Sequence, residues 1–290
     1  MLSHHGNLAD LLPLNWKNVV SSWFQEDTPS FDYGGFVVGN DERTATLYAK
    51  SNGVLAGMPF FNEIFAQADC TVRWYVEEGS WVEGGASGKT AIASITGPVR
   101  KILLGERVAL NTLSRCSGVA TQSKKMLDLV HQAGYTGILA GTRKTTPGFR
   151  LVEKYGMMVG GIDGHRHDLS SMIMLKDNHI WAKGSIKNAV QAAQKAGGFS
   201  LKVEVEVGNR ADAHEAIEAG ADIIMLDNFN GDELKVLAVD LKREWAGKRN
   251  FLLECSGGLT TENVASFITN KLISFLRVLS TKGYLMWTFP

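Results

Sequence analysis

The sequence has few cysteines and no net charge, and each of these absences excludes a class of protein. Cys70, Cys116 and Cys255 lie far apart in the chain, are odd in number and show no metal-binding spacing. We therefore expect reduced thiols and a cytoplasmic protein, since disulfide frameworks belong to oxidising compartments. Thirty Lys and Arg residues balance thirty Asp and Glu residues. We expect no nucleic-acid partner, because a nucleic-acid-binding protein is usually basic.

Long apolar runs are also missing. No stretch reaches the ~18 apolar residues that a membrane-spanning helix needs. The N-terminus lacks the basic region, apolar core and cleavage site of a secretory signal. We therefore expect no membrane partner. The length of 290 residues, with 44% hydrophobic and 21% charged residues, is typical of a globular protein with one large domain or two modest ones.

Positive charge is concentrated in one stretch of this neutral chain, residues 137–177. Against four acids it holds two histidines and six Lys or Arg residues, namely Arg143, Lys144, Arg150, Lys154, His165, Arg166, His167 and Lys176. A local excess of cations in a neutral chain indicates a pocket for a small polyanion.

Five short apolar runs in the second half of the chain each end in polar residues. The runs lie at 137–140, 171–175, 201–206, 222–227 and 251–255. Their ends carry Arg143 and Lys144, then Lys176, Glu206 and Asp227, and finally Ser256, Gly257 and Gly258. The runs are roughly 20 to 35 residues apart, which is the length of a βα unit. This spacing predicts a parallel α/β barrel with its chemistry at the C-terminal ends of the strands.

The first third of the chain lacks this alternation. The pattern predicts strands at 44–50, 70–76 and 89–96, a helix at 59–66, and one long or two consecutive helices at 101–133. We therefore predict an N-terminal α/β sandwich. We place this domain at residues 1–116, the barrel at 117–275 and a C-terminal tail at 276–290.

Two acids facing several cations are suited to a sugar phosphate with a metal ion. Carboxylates accept hydrogen bonds from ribose hydroxyls or hold Mg²⁺, arginines bind planar carboxylates, and lysines act as point charges on phosphates. A Ser-Gly-Gly turn before a helix can bind phosphate, although an ordinary βα turn explains it equally well. Glu204 shares a strand face with Glu206 and is either a core-facing partner of Lys202 or an acid behind the site. On spacing alone, Arg107 fits a solvated helix position paired with a nearby acid.

These motifs resemble those of the quinolinate phosphoribosyltransferase family. In chain order they are GERVALN at 105–111, GTRKTTPG at 141–148, EKY at 153–155, HR at 165–166, KDNH at 176–179, KVEVE at 202–206, LDN at 226–228 and ECSGG at 254–258. The resemblance extends over residues 19–267, and its most specific part is the TRKTTPG run.

The resemblance implies an α/β sandwich domain followed by an open TIM-like α/β barrel with fewer strands than a complete one. It also implies the reaction, in which phosphoribosyl pyrophosphate and quinolinate, with Mg²⁺, give nicotinate mononucleotide, pyrophosphate and CO₂ in de novo NAD biosynthesis.

The resemblance further implies roles for residues at matching positions. Quinolinate carboxylates would meet Arg107, Arg143, His165 and Arg166; phosphate charge would meet Lys144 and Lys176; ribose hydroxyls and Mg²⁺ would meet Glu206 and Asp227; and the 5′-phosphate would meet Ser256, Gly257 and Gly258. It implies a homodimer, or a hexamer built from dimers, in which Arg107 reaches a neighbouring site.

Two alternatives stay open. Lys176 at a strand end is also where a barrel aldolase forms its Schiff base. In the tail, Leu276 stands where the family has a phosphate-binding glycine, and the following residues leave the family's pattern. A catalytically impaired relative of the family is therefore the second alternative.

Overall fold

The structure, a computed structural model, describes residues 6–84, 88–272 and 274–277. It divides into two units, which we describe separately. Within the described residues, unit 1 holds 6–124 and 146–161, and unit 2 holds 125–145 and 162–277. No described helix is both long enough and apolar enough to cross a membrane.

Unit 1 combines short antiparallel sheets with helices. Its helices are a 3-10 turn at Leu8–Leu11, α1 (Trp16–Asp27), α2 (Tyr33–Val38), α3 (Met58–Gln67), the first part of α4 (Val99–Gln132) and α5 (Arg150–Val159). Its strands are β1 (Glu42–Ala49), β2 (Gly53–Val54), β3 (Thr71–Trp74), β4 (Trp81–Val82) and β5 (Thr90–Pro98). Strands β1, β5 and β3 form one sheet in that order, and β2 pairs with β4.

Helices cover the three-stranded sheet of unit 1. Leu47 of β1 and Ile92 of β5 pack in one buried cluster with Phe61 and Phe65 of α3 and Leu113 of α4. This confirms the sandwich predicted for the first domain. Strand β5 continues to Pro98, and α4 begins at the next residue.

Helix α5 packs within unit 1 against α4. The Phe60 and Tyr155 rings meet edge to face with centroids 5.4 Å apart. A Cβ atom at Gly156 would lie 2.7 Å from the Cys116 carbonyl oxygen, and one at Gly160 would lie 2.5 Å from the Ala120 carbonyl oxygen. Glycine is therefore needed for the two helices to approach. The predicted division at residue 116 lies inside α4, and α5, which that division assigned to the barrel, belongs to unit 1.

Unit 2 is a parallel sheet surrounded by helices. Its strands are β6 (Ile138–Gly141), β7 (Ile173–Leu175), β8 (Val203–Val207), β9 (Ile223–Asp227), β10 (Leu252–Ser256) and β11 (Ser274–Arg277). Its helices, after the end of α4, are α6 (Asp177–Lys183), α7 (Ile186–Gly197), α8 (Arg210–Ala219), α9 (Gly231–Glu244) and α10 (Val264–Phe267). The five predicted barrel strands are confirmed. Helix α6 was not predicted, because it has no buried residue and hence no apolar periodicity.

The six parallel strands follow the order β6-β11-β10-β9-β8-β7. Sequence neighbours therefore lie side by side, and the last strand pairs with the first, as in a barrel. Among the described residues, β6 and β7 do not pair with each other, so the barrel is open between them. Beside this opening, Asp163 forms an isolated parallel bridge with Ala140 on the outer edge of β6.

Polar side chains begin the helices of unit 2. Asn209 caps α8 by accepting a hydrogen bond from the N–H of Asp212. Asn230 caps α9 by accepting from the N–H of Glu233. These caps satisfy backbone donors that a helix start leaves unpaired.

The predicted tail is only partly described. Strand β11 places the backbone of Leu276 opposite Ala140 of β6. Residues 278–290 lie outside the described residues, so the predictions made for them are not addressed by the structure.

The close approach of α5 and α4 gives the first prediction. Replacing Gly160 by Ala forces a Cβ atom into the Ala120 carbonyl and the Ser123 Cβ, both 2.5 Å away. We expect a loss of about 1–3 kcal/mol in the free energy of unfolding, the usual cost of overpacking, measured by urea denaturation. Gly34→Ala is the matched control, because its Cβ would meet only the Asp32 carboxylate at 3.8 Å. Equal stability of the two variants would contradict the proposed packing.

Candidate active site

The parallel sheet of unit 2 gathers the predicted residues at one edge. Because all its strands run the same way, their C-terminal ends meet there. Arg143 and Lys144 follow β6, and Lys176 follows β7 directly. The register then pairs Asp227, the last residue of β9, with Ser256, the last residue of β10.

Lys176 is held in place by two contacts. Its Nζ donates a hydrogen bond to Oε2 of Glu206, one strand away. Its backbone N–H donates to Nδ1 of His179 at 3.1 Å, in the first turn of α6. A lysine paired with a carboxylate is an ammonium ion, whereas Schiff-base chemistry needs a neutral amine. The geometry therefore favours the interpretation of Lys176 as a fixed positive charge over the aldolase alternative.

Asp227 lies between like and opposite charges. Burial raises the pKa of its carboxyl, and the nearby Glu206 carboxylate raises it further. Lys176, a hydrogen bond from Ser256, and Lys144 act in the opposite direction. Two acids and two lysines thus form one cluster of mixed charge at the ends of β6 to β9.

The Ser256-Gly257-Gly258 turn follows β10 with backbone that only glycine adopts readily. Gly257 has φ +93° and Gly258 has φ +61°. A Cβ atom at Gly257 would lie 2.3 Å from Oδ1 and 2.7 Å from the backbone N of Asn228. Asn228 in turn donates its N–H to the Ser256 carbonyl at 3.1 Å. The turn therefore packs its backbone directly against the residue that follows Asp227.

A short extended segment on the open side of the barrel positions His165 and Arg166. Gly141 donates its N–H to the Asp163 carbonyl, and Asp163 donates to the Leu139 carbonyl, each at 2.8 Å. The Asp163 carboxylate then accepts the N–H of His165 at 2.5 Å. His165 has φ +53°, an uncommon conformation for a residue with a side chain.

Two arginines concentrate positive charge beside this segment. Burial lowers the pKa of Arg166, and the neighbouring Arg143 guanidinium lowers it further, while Glu204 opposes the shift. The Nε of Arg143 is buried, and among the described residues it has no hydrogen-bond partner. A buried donor without a partner is costly, so this end of the site is suited to an anion that accepts it.

Two buried acids lie beneath His165. Glu204 is 0% exposed and Glu254 is 3% exposed. The Nε2 of His165 is 3.8 Å from a carboxylate oxygen of Glu204 and 3.5 Å from one of Glu254. Sequence analysis left two interpretations of Glu204, a core-facing partner of Lys202 or an acid behind the site. The contact with His165 favours the second. Sequence analysis names Glu254 only as part of the ECSGG motif and gives it no role. The one feature of the sequence that distinguishes it is that it is an acid inside an apolar run.

Arg107 is the one predicted site residue that lies in unit 1. It is an exposed residue of α4, and among the described residues it forms no ion pair. The structure of one chain therefore does not include it in the cluster at the sheet edge.

Comparisons with known proteins agree with this fold. The family model of the quinolinate phosphoribosyl transferase N-terminal domain matches residues 32–117, and that of the C-terminal domain matches residues 119–281. The chain belongs to the quinolinate phosphoribosyltransferase family. It is therefore a phosphoribosyltransferase, and the fold class and enzyme class that its motifs implied are confirmed.

Relatives and solved structures support the same assignment. The chain is 49% identical over 272 residues to the nicotinate-nucleotide pyrophosphorylase (carboxylating) of Dictyostelium discoideum. The aligned region covers 90% of each of the two chains. It is 48% identical to the human protein of that name, over 90% of this chain and 86% of the human one. The crystal structure of NadC from Streptococcus pyogenes superposes with a TM-score of 0.85 at 32% identity and covers 96% of both chains.

The Gly-Gly turn gives a prediction for this phosphoribosyltransferase. Gly257→Ala places a Cβ atom against the backbone of Asn228, whereas Gly258→Ala meets nothing within 4 Å. Both residues have positive φ, so Gly258→Ala controls for backbone strain. We expect Gly257→Ala to lower kcat/KM by about tenfold more than Gly258→Ala, which corresponds to about 1.4 kcal/mol. Steady-state kinetics checks this, and equal losses would show that the contact with Asn228 does not matter.

Proposed function

We propose that this chain transfers the phosphoribosyl group of phosphoribosyl pyrophosphate to quinolinate with loss of CO₂, giving nicotinate mononucleotide and pyrophosphate for NAD biosynthesis. The observation that carries the proposal is the division of the site into two parts. One part holds Arg143 and Arg166 around a buried donor that lacks a partner. The other holds acids, lysines and a glycine turn.

Quinolinate fits the arginine part. Its two carboxylates are planar anions, and guanidinium groups bind such anions through two parallel hydrogen bonds. Arg143, Arg166 and His165 would hold them. The Nε of Arg143 would then gain the acceptor that no described residue provides.

The phosphoribosyl donor fits the second part. The carboxylates of Glu206 and Asp227 would accept hydrogen bonds from ribose hydroxyls, and the turn at Ser256, Gly257 and Gly258 would hold the 5′-phosphate through its backbone. Lys144 and Lys176 would meet the charge of the pyrophosphate as fixed cations.

Mg²⁺ fits the same acids. Glu206 and Asp227 are close enough for the charge of one to raise the pKa of the other, and oxygen ligands of this kind are those that Mg²⁺ prefers. We propose that these residues hold the ion directly or through water or substrate. When bound, Mg²⁺ would neutralise charge on the pyrophosphate.

The chemistry needs positioning and charge rather than a side-chain nucleophile. As pyrophosphate leaves, the ribose becomes oxocarbenium-like, and Lys144 and Lys176 stabilise the charge that builds on the leaving group. The carboxylate contacts hold the quinolinate nitrogen at about 3 to 3.5 Å from the anomeric carbon. The ring nitrogen, once ribosylated, is cationic and stabilises the electron pair that stays on the adjacent ring carbon as its carboxylate departs as CO₂. That carbon then takes up a proton from water, which completes the C–H bond of nicotinate mononucleotide.

We propose that the protein is a homodimer, or a hexamer of such dimers, in which Arg107 completes a neighbouring site. Its exposure on α4 supports this. We also propose a cytoplasmic location, which is supported by the free and buried thiols of Cys70, Cys116 and Cys255.

The alternative of a catalytically impaired relative depends on the tail. Strand β11 contains Leu276, the residue at the family's glycine position. Turnover by the unaltered chain decides between full activity and impairment, and the assay below includes that measurement.

A turnover assay with quinolinate, phosphoribosyl pyrophosphate and Mg²⁺ tests the proposal. We expect nicotinate mononucleotide from quinolinate and none from nicotinic acid, which lacks the second carboxylate. Arg143→Ala should lower kcat/KM for quinolinate by about 10²-fold or more, because it leaves a buried carboxylate without its partner. Arg43→Ala, at a surface pair with Asp41, is the control and should match the unaltered chain. Equal use of nicotinic acid, or normal kinetics of Arg143→Ala, would contradict the quinolinate assignment.

Co-expression of two inactive variants tests the role of Arg107. Arg107→Ala and Arg143→Ala should each be inactive alone. If Arg107 acts in a neighbouring site, each mixed dimer contains one intact site out of two, and its turnover should recover to on the order of half of that of the unaltered protein. Mixed dimers isolated with two affinity tags provide the measurement. Mixed dimers without activity would place Arg107 in its own chain's site or outside catalysis.

A further inference from the structure

We propose that Glu204 and Glu254 are positioning residues that hold the imidazole of His165 by Nε2 and so present its other nitrogen to quinolinate. The inference rests on the proposed function, in which His165 meets a quinolinate carboxylate. It assigns a role to two buried acids that the reaction itself does not use.

Both acids lie on the inner face of the sheet. The register pairs Glu204 of β8 with Ile223 of β9, and Glu254 of β10 with Met225 of β9. Ile223 and Met225 are two residues apart and therefore share a face. Met225 also packs in a buried apolar cluster with Ala140 and Met174. The acids thus stand in apolar surroundings at the centre of unit 2.

Burial at this position is unfavourable for a carboxyl group. Glu204 is 0% exposed and Glu254 is 3% exposed, so both carboxyl groups have lost nearly all contact with water. Among the described residues, neither carboxylate oxygen of Glu204 accepts a hydrogen bond. Apolar residues of similar volume are often neutral or stabilising in place of buried ionic groups. Packing therefore does not explain why two acids occupy this face.

The geometry around His165 supplies the explanation. Its Nε2 is 3.5 Å from a Glu254 oxygen and 3.8 Å from a Glu204 oxygen. With Nε2 turned toward the acids, Nδ1 is the ring nitrogen that remains for a ligand. The backbone of His165 is fixed as well, at φ +53° and with its N–H on Asp163. Backbone and ring are therefore held from two sides, as a binding residue requires.

Paired replacements test this inference in the full-length, Mg²⁺-supplemented enzyme. The variant Glu204→Leu/Glu254→Leu removes both carboxyl groups that lie next to Nε2 of His165. We expect its thermal midpoint to be equal to or higher than that of the unaltered protein. Its KM and calorimetric Kd for quinolinate should rise by about tenfold or more, while KM for phosphoribosyl pyrophosphate changes by less than about twofold. The matched variant Glu204→Gln/Glu254→Gln keeps an oxygen at each position and should stay within about threefold of the unaltered enzyme.

A double-mutant cycle shows whether the acids act through His165. In a His165→Ala background, the Leu pair should change KM for quinolinate by less than about twofold, because the group that the acids position is gone. An undiminished effect in that background would overturn the inference.

Two other results would also overturn it. A lower thermal midpoint with proportional changes in both KM values would make the acids part of the packing only. An unchanged KM for quinolinate in the stable Leu pair would show that His165 does not need them. An unaltered chain that neither binds nor turns over quinolinate would instead defeat the proposed function, and this inference with it.

Discussion

The parallel pairing of the six strands in unit 2 is the constraint on which the site depends. Gly141 and Ser256 are 115 positions apart in the chain, yet they end strands of one sheet at the same edge. The cations come mainly from residues 137–177, whereas the acids and the glycine turn come from later strands. The register brings these charges together, and the β6 edge adds the segment at Asp163 that carries His165 and Arg166.

Like charges at such short range repel each other, and the site counters this with groups of opposite sign nearby. Lys176 is bonded to Glu206, and Lys176 and Lys144 oppose the rise in the pKa of Asp227. On the other side, Arg143 lowers the pKa of Arg166, and Glu204 opposes that shift. These charged groups are in place before any ligand arrives. Groups fixed in this way do not reorganise when charge develops in a reaction.

Sequence reasoning predicted the strands and the residues at their ends, since an apolar run that stops at a charge is a local signal. It did not predict that α5 packs in unit 1, because the glycines that permit this contact face another helix. It also did not find how His165 is held. That depends on a bridge between Asp163 and Ala140 and on the approach of two acids from separate strands. Such contacts between distant segments leave no periodicity in the sequence.

The two parts of the site use different physical means, and this decides how each tolerates change. The phosphate turn relies on backbone with positive φ at Gly257 and Gly258, so its function depends on the absence of side chains. The arginine part includes His165, whose ring lies 3.5 Å from a Glu254 oxygen and whose backbone N–H donates to Asp163. Its precision therefore comes from buried polar groups that cost stability. A more stable protein with an apolar barrel interior would hold the same strands but would lose the control of ring orientation.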